Sequence, residues 1–249
     1  TLAVIGSDVR SLFDGRYVVD EFALTLKALF VLAGYVVVLL STNEMEEGHY
    51  YQGEYYVLLL TAFLGCTMMP SSRNLLTLFL SLELVSAPGF LMAAFRKTDP
   101  RSNEAGLKFF LIGVLSTAVM LYGMSLVYGL AGTLDLRAIG AAFVVPLEGG
   151  RQALALAAIL FIVAGFAFKV SAVPFQFWAP DTYEGAPVPV AAFLATASKA
   201  AGFAIVLRLF YSGLGGGGTV ITDDWAKLFA VLAAAAVSAL VFSSAASPS

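Results

Sequence analysis

The sequence has few charged residues and almost none of the residues that build metal centres or disulfide frameworks. Only 12% of its 249 residues are charged, whereas soluble domains average about a quarter. Its single cysteine, Cys66, excludes an internal disulfide and any multi-cysteine metal or iron–sulfur site. Its single histidine, His49, falls in a polar stretch where a lone histidine is normally solvated. With a net charge of −3 and no basic patch, the composition indicates no nucleic-acid partner.

What the chain does have is hydrophobic length. Hydrophobic residues make up 59% of it, and a helix needs about 20 mostly apolar residues to cross a bilayer. The long runs lack strand alternation, and only helices or closed barrels can span lipid. The sequence therefore predicts an all-α, polytopic transmembrane helical bundle with seven membrane segments: Phe22–Ser41, Tyr55–Met69, Asn74–Phe95, Glu104–Leu130, Ala153–Pro174, Pro189–Phe210 and Trp225–Phe242.

The two ends and the loops give less information. Residues 1–20 are polar and show no secretory signal, and the first residue is Thr1 rather than methionine, so we expect the true start to lie upstream. The basic residues Arg96, Lys97 and Arg101 predict that the loop after the third helix is cytoplasmic. The loop after the first helix belongs on the same side, yet it is acidic.

Three ionisable residues are predicted to lie at bilayer depth: Glu83, Lys169 and Lys199. Each costs about 2.5–3.5 kcal/mol near the bilayer centre on insertion scales, so such residues are normally paired or hydrated, and they mark ion paths. Lys199 lies about 15 Å from either end of its segment, too far to reach the interface. We expect it to face the bundle interior, and Glu83 to lie within salt-bridge or single-water reach of Lys169.

Less functional interpretations remain open for these charges. Glu83 and Lys169 could form a purely structural pair between helices. Lys108 and Lys27 lie nearer the ends of their helices, where a lysine can extend to the interface.

Two prolines follow Lys169 closely. Pro174 and Pro180 each lack a backbone donor and clash with the preceding turn, so we expect the helix to be interrupted between Lys169 and Pro180. Transporters use broken helices as ion sites. Asp181 and Glu184 would then be available to a hydrated entrance. An ordinary interfacial loop is the alternative interpretation.

The stretch FKVSAVPFQFWAPDTYEGAPVPVAAFLATASKAAGF, residues 168–203, resembles the antiporter-like membrane subunits of proton-pumping NADH:quinone oxidoreductase, respiratory complex I. LSLELVS around Glu83, RSNEAGLKFFLIG around Lys108 and LYGMSLVYGLAGTLDL add to the resemblance. TASKAAGF favours the N-type subunit over the L and M types and over the Mrp antiporters.

The resemblance implies a fold of inverted repeats, each with a broken helix. By this comparison Glu83 and Lys169 are the glutamate–lysine pair of the first repeat, Lys199 is a connecting lysine, and Lys108 also matches a family lysine. It implies proton translocation driven by remote quinone reduction. NADH and quinone would be used by the complex, with no cofactor or metal bound by this chain. Its partners would be other membrane-arm subunits and the lipid bilayer, with the bacterial plasma membrane as the location.

The chain departs from the family in two respects. Gln176 stands where many relatives have histidine, and the sequence stops where the family continues into a second repeat. We therefore expect a partial chain: residues 21–212 as the first repeat plus a preceding helix, and residues 213–249 as the truncated start of the second. Two rivals remain, an Mrp-type cation/proton antiporter subunit and a structural scaffold subunit.

Overall fold

The computed structural model describes residues 9–48, 52–144 and 149–210. Its helices are α1 (Glu21–Glu47), α2 (Gln52–Met68), α3 (Leu75–Ala93), α4 (Pro100–Ala131), α5 (Leu136–Ala142), α6 (Arg151–Val170), α7 (Trp178–Gly185), α8 (Val188–Phe193) and α9 (Lys199–Arg208). A 3₁₀ turn, Met69–Ser71, extends α2. A π-helical segment, Leu194–Ser198, joins α8 to α9 as one continuous element.

Five of the described elements are long and apolar enough to cross a membrane, judged by length and composition: α1, α3, α4, α6 and the α8–α9 element. With the shorter α2, they coincide with the first six predicted segments. The helical-bundle prediction is thus confirmed. The seventh segment, Trp225–Phe242, lies outside the described residues, as does His49.

Local sequence explains where these helices begin and end. The side chains of Asp20, Asn74 and Asp99 each accept a backbone N–H in the first turn of α1, α3 and α4, the usual role of Asp and Asn at a helix start. At its other end α4 stops at Gly132, whose φ of 69° is a left-handed conformation that glycine adopts freely. These caps fix the helix boundaries that place the buried charges.

Helices α4 and α6 pack closely because glycine removes a side chain from their contact. A Cβ placed at Gly123 on α4 would lie 2.5 Å from the carbonyl oxygen of Ala158 on α6. Small residues of this kind let membrane helices approach each other without a hydrophobic driving force.

One end of the bundle carries a small hairpin that the sequence did not predict. Strands β1 (Arg10–Leu12) and β2 (Tyr17–Val19) pair antiparallel. Tyr17 bridges to Ser72, and the amide of Arg73 donates to the carbonyl of Arg16 at 3.0 Å. The hairpin is therefore fixed to the loop between α2 and α3, and we call this side the hairpin end.

At the opposite end of the bundle, the acidic loop after α1 lies next to the basic loop after α3. Glu44 near the end of α1 forms an ion pair with Arg96, and Glu54 on α2 lies 4.0 Å from Lys97. The acidic and basic loops are thus neighbours whose charges offset each other. Which side of the membrane they occupy stays a prediction.

Candidate functional site at the interrupted helix

Lys169 lies at the C-terminal end of α6, inside the bundle. Its side chain is 2% exposed, and its Nζ donates to Ser86 Oγ on α3 at 3.1 Å. Across the described residues it has no carboxylate within 4.0 Å. One hydroxyl partner offsets only a small part of the free energy that it costs to bury an ammonium group away from water.

Glu83 lies one turn before Ser86 on the same face of α3. It accepts a hydrogen bond from Thr117 Oγ1 of α4 at 3.1 Å. Within the described chain Glu83 forms no ion pair, so of the two expected arrangements, a direct salt bridge to Lys169 or a link through one water, the direct salt bridge is absent. The two charges nevertheless act on each other electrostatically. That a single water joins them stays a prediction.

The helix that carries Lys169 is interrupted where Pro174 and Pro180 led us to expect. Helix α6 ends at Val170, Ser171 adopts a left-handed conformation with φ of 58°, and α7 begins only at Trp178. The indole Nε1 of Trp178 donates to the Phe168 carbonyl oxygen at 3.2 Å, which satisfies one of the carbonyls left free at the end of α6. We call the residues from Ser171 to Phe177 the break.

Unsatisfied polar atoms gather around the break. Four buried side-chain oxygens in this part of the chain have no hydrogen-bond partner among the described residues: Ser171 Oγ, Gln176 Oε1, Thr182 Oγ1 and Tyr183 Oη. Buried polar atoms are nearly always bonded to protein or water, so these four indicate bound water. Gln176, the residue that departs from the family pattern, is one of them.

Lys199 begins α9, directly after the π-helical segment. It is partly buried, and its Nζ lies 5.3 Å from the centre of the Tyr183 ring on α7. Helices α9 and α6 touch here, because a Cβ placed at Gly202 would lie 3.2 Å from Lys169 Cγ. The lysine-bearing helices are thus direct neighbours.

Lys108 is placed apart from the other three candidates. It is on α4, its side chain is 44% exposed, and its Nζ lies 2.6 Å from both Glu104 and Asp181. It lines a polar cavity of about 240 Å³ that also includes Glu184. The structure therefore brings Lys108 together with the two acidic residues expected at a hydrated entrance.

Sequence reasoning missed a second group of charges at the hairpin end. Arg208, at the end of α9, is 5% exposed and contacts Asp20. Lys27 is near the start of α1 as expected, but it is 3% exposed and donates to the Tyr17 hydroxyl at 2.8 Å. The hairpin covers it. The buried ion pair joins positions 188 residues apart, which no local pattern signals.

The fold and these buried charges define a polytopic helical membrane protein built around an interrupted helix. Residues 72–247 match the family model described as NADH:quinone oxidoreductase/Mrp antiporter, TM. The chain belongs to this family.

Individual relatives agree. The chain is 47% identical over 219 residues to NADH-quinone oxidoreductase subunit N of Moorella thermoacetica. The aligned region covers 88% of this chain and 44% of the relative. It is 43% identical to NAD(P)H-quinone oxidoreductase subunit 2 of Synechocystis sp., over 89% of this chain and 42% of the relative. A chain of respiratory complex I from Thermus thermophilus with bound aureothin superposes with a TM-score of 0.67 at 36% identity, covering 83% of this chain and 44% of that one. The chain thus spans less than half the length of these relatives.

Proposed function

We propose that this chain is part of a proton-translocating membrane-arm subunit of an NADH:quinone oxidoreductase, of the N type, driven by quinone reduction elsewhere in the complex. NADH and quinone act in the complex rather than on this chain, which binds neither cofactor nor metal. Its neighbours are other membrane-arm subunits and the lipid bilayer, and its location is the bacterial plasma membrane. Residues 21–212 hold the first antiporter-like repeat with a preceding helix, and residues 213–249 begin the second.

The observation that carries this proposal is the buried Lys169 at the end of an interrupted helix. A structural lysine would be expected to have a carboxylate partner, because an uncompensated charge inside the membrane is costly. Lys169 instead donates to a single hydroxyl, with the Glu83 charge acting from further away. An ammonium held this loosely can gain and lose a proton.

The relay proceeds from Glu83 and Lys169 through the break to Lys199. Unpartnered oxygens in the break support a water chain between the two lysines. The contact between α6 and α9 keeps the lysines on adjacent helices. Lys108, with Asp181 and Glu184, serves at the polar cavity as the entrance to this path.

Two variants of Lys199 test the relay. Membrane vesicles carrying the whole complex are energised with NADH, and proton uptake is measured together with electron transfer. Lys199→Ala is expected to lose proton uptake while the complex still assembles. Lys199→Arg keeps the charge but cannot release a proton near neutral pH, so it is expected to fail as well. Lys97→Met, which changes a lysine whose side chain is 70% exposed, serves as the matched control.

The outcomes separate the proposal from its rivals. Normal proton uptake with Lys199→Arg would make Lys199 an electrostatic fixture and favour a scaffold role. The second candidate is an Mrp-type cation/proton antiporter subunit, because the matching family model includes the Mrp antiporters. A sodium-dependent pH change in vesicles without NADH would support it.

A further inference from the structure

Tyr183 of α7 lies beside Lys199 of α9 and close to the break that follows α6, and the relay described above does not use it. Its ring lies under the Lys199 ammonium, with 5.3 Å between Nζ and the ring centre. Its hydroxyl is buried without a hydrogen-bond partner of normal geometry among the described residues, and it lies close enough to the Ser171 hydroxyl in the break to act on it electrostatically. One side chain therefore touches both the connecting lysine and the polar atoms that follow Lys169.

Helix α7, which carries Tyr183, is held firmly on α4. The Trp178 ring stacks on Phe109 with 4.3 Å between ring centres and 14° between planes. At its other end, a Cβ placed at Gly185 would lie 2.5 Å from the Arg101 carbonyl oxygen. The ion pair between Asp181 and Lys108 adds a third attachment. With both ends of α7 fixed, the Tyr183 ring has a defined position.

Lys199 has few other partners. Within the part of the chain that the structure describes, it has no carboxylate within 4.0 Å, and the side chain that its ammonium contacts is the Tyr183 ring. An aromatic face attracts an ammonium through its quadrupole, and more strongly where water is excluded. This ring differs from a carboxylate in one respect that suits transfer: it stabilises the charge without holding the proton in a salt bridge.

We propose that Tyr183 is a positioning residue of the relay: its ring holds the Lys199 ammonium next to the break, and its hydroxyl binds the water of the break. The inference rests on the proposed function, since it assigns a role within the same path.

The test replaces Tyr183 by phenylalanine and then by progressively fluorinated phenylalanines, introduced into the whole complex. Fluorine withdraws charge from the ring face and weakens cation–π attraction while the shape of the ring is nearly kept, so a residue that only packs is insensitive to the series. Proton uptake per electron transferred is measured in vesicles for each variant. The same series at Tyr128, a tyrosine of α4 that is 51% exposed, is the matched control.

We expect Tyr183→Phe to retain at least about a third of the proton uptake of the wild type. The most fluorinated ring is expected to lower the uptake by a further factor of about 3 to 10, which corresponds to typical cation–π strengths. The Tyr128 series is expected to change nothing. A flat series at position 183 would overturn the inference, and so would complete loss with Tyr183→Phe, which would assign the role to the hydroxyl alone.

Lys199→Ala in the same membranes separates the two proposals. If Lys199→Ala abolishes proton uptake while the Tyr183 series is flat, only the proposed role of Tyr183 is contradicted. If the complex with Lys199→Ala takes up protons normally, the proposed relay itself is contradicted.

Discussion

Asp20 and Arg208 form a two-point ion pair between the start of the first described membrane helix and the end of the last. Both Nη–Oδ distances are 2.7 Å. Asp20 also accepts the Ala23 amide as the N-cap of α1, and Arg208 Nε donates to the Pro70 carbonyl oxygen at 2.7 Å. Planar, bidentate geometry of this kind is the strongest form of an ion pair. It fastens α1 to α9 at the hairpin end.

Removing one partner of this pair should destabilise the protein strongly. Asp20→Asn leaves the buried Arg208 guanidinium without its counter-charge, and breaking a buried pair in this way costs about 3–5 kcal/mol. Thermal unfolding of the solubilised complex measures it. Because the residues act together, Asp20→Asn combined with Arg208→Met should cost less than the sum of the single changes. Additive costs would contradict the coupling. Lys97→Met, from an exposed pair, should cost at most about 1 kcal/mol.

The same pair predicts a pH dependence. Burial raises the pKa of Asp20, but the hydrogen bonds from Arg208 and Ala23 and the charges of Arg208 and Arg73 outweigh it, so the pKa lies below its ordinary value. A lowered carboxyl pKa contributes stability that is present above the unfolded value of about 3.9 and is lost as pH falls through the native value. The difference in unfolding temperature between wild type and Asp20→Asn should therefore be constant near neutral pH and shrink below about pH 4. A difference that changes between pH 6 and 8 would assign it to another group.

Two glycines on α4 give a matched pair of substitutions. Gly123→Ala places a methyl group 2.5 Å from the Ala158 carbonyl oxygen, so α4 and α6 must separate, and overpacking of this kind costs about 1–3 kcal/mol. Gly129→Ala meets nothing within 4 Å, and the substitution should be neutral or stabilise the helix by about 0.4–1 kcal/mol. Unfolding temperatures of the two variants decide it, and equal values would mean that the helix contact tolerates the methyl group.

The sequence was sufficient for the features that depend on local hydrophobicity and on proline. The first six membrane segments follow from long apolar runs, and the interruption after Lys169 follows from the missing N–H and the steric clash of proline. Lys169 could be proposed as a functional residue because a charge is costly at bilayer depth. Each of these inferences uses a property of neighbouring residues, so a single sequence contains it.

The sequence was not sufficient for partners that are distant along the chain. The ion pair of Asp20 with Arg208 and the ring of Tyr183 under Lys199 depend on how helices pack, and no spacing rule reports that. Short elements were missed as well: three-residue strands and the helix Leu136–Ala142 carry too few residues for a periodic signal. Whether Glu83 and Lys169 meet directly or through a water could not be predicted for the same reason, since helix depth was predictable and side-chain contact was not.

The last prediction concerns Glu83, whose negative charge and whose hydrogen bond with Thr117 can be removed by two different substitutions. Glu83→Gln removes the negative charge that acts on Lys169 and keeps an oxygen that can accept from Thr117. Proton uptake coupled to NADH oxidation should fall at least about tenfold, because a positioned proton-transfer group typically contributes about 10²- to 10⁴-fold to a rate. The unfolding temperature should hardly change, since a neutral amide costs less to bury than a carboxylate.

Thr117→Val removes only the hydroxyl donor and should lower proton uptake by about two- to fivefold, whereas Thr117→Ser should stay near wild type. If Thr117→Val is more damaging than Glu83→Gln, the hydrogen bond matters more than the charge. Glu83 would then be a structural residue of the α3–α4 contact and not part of the relay.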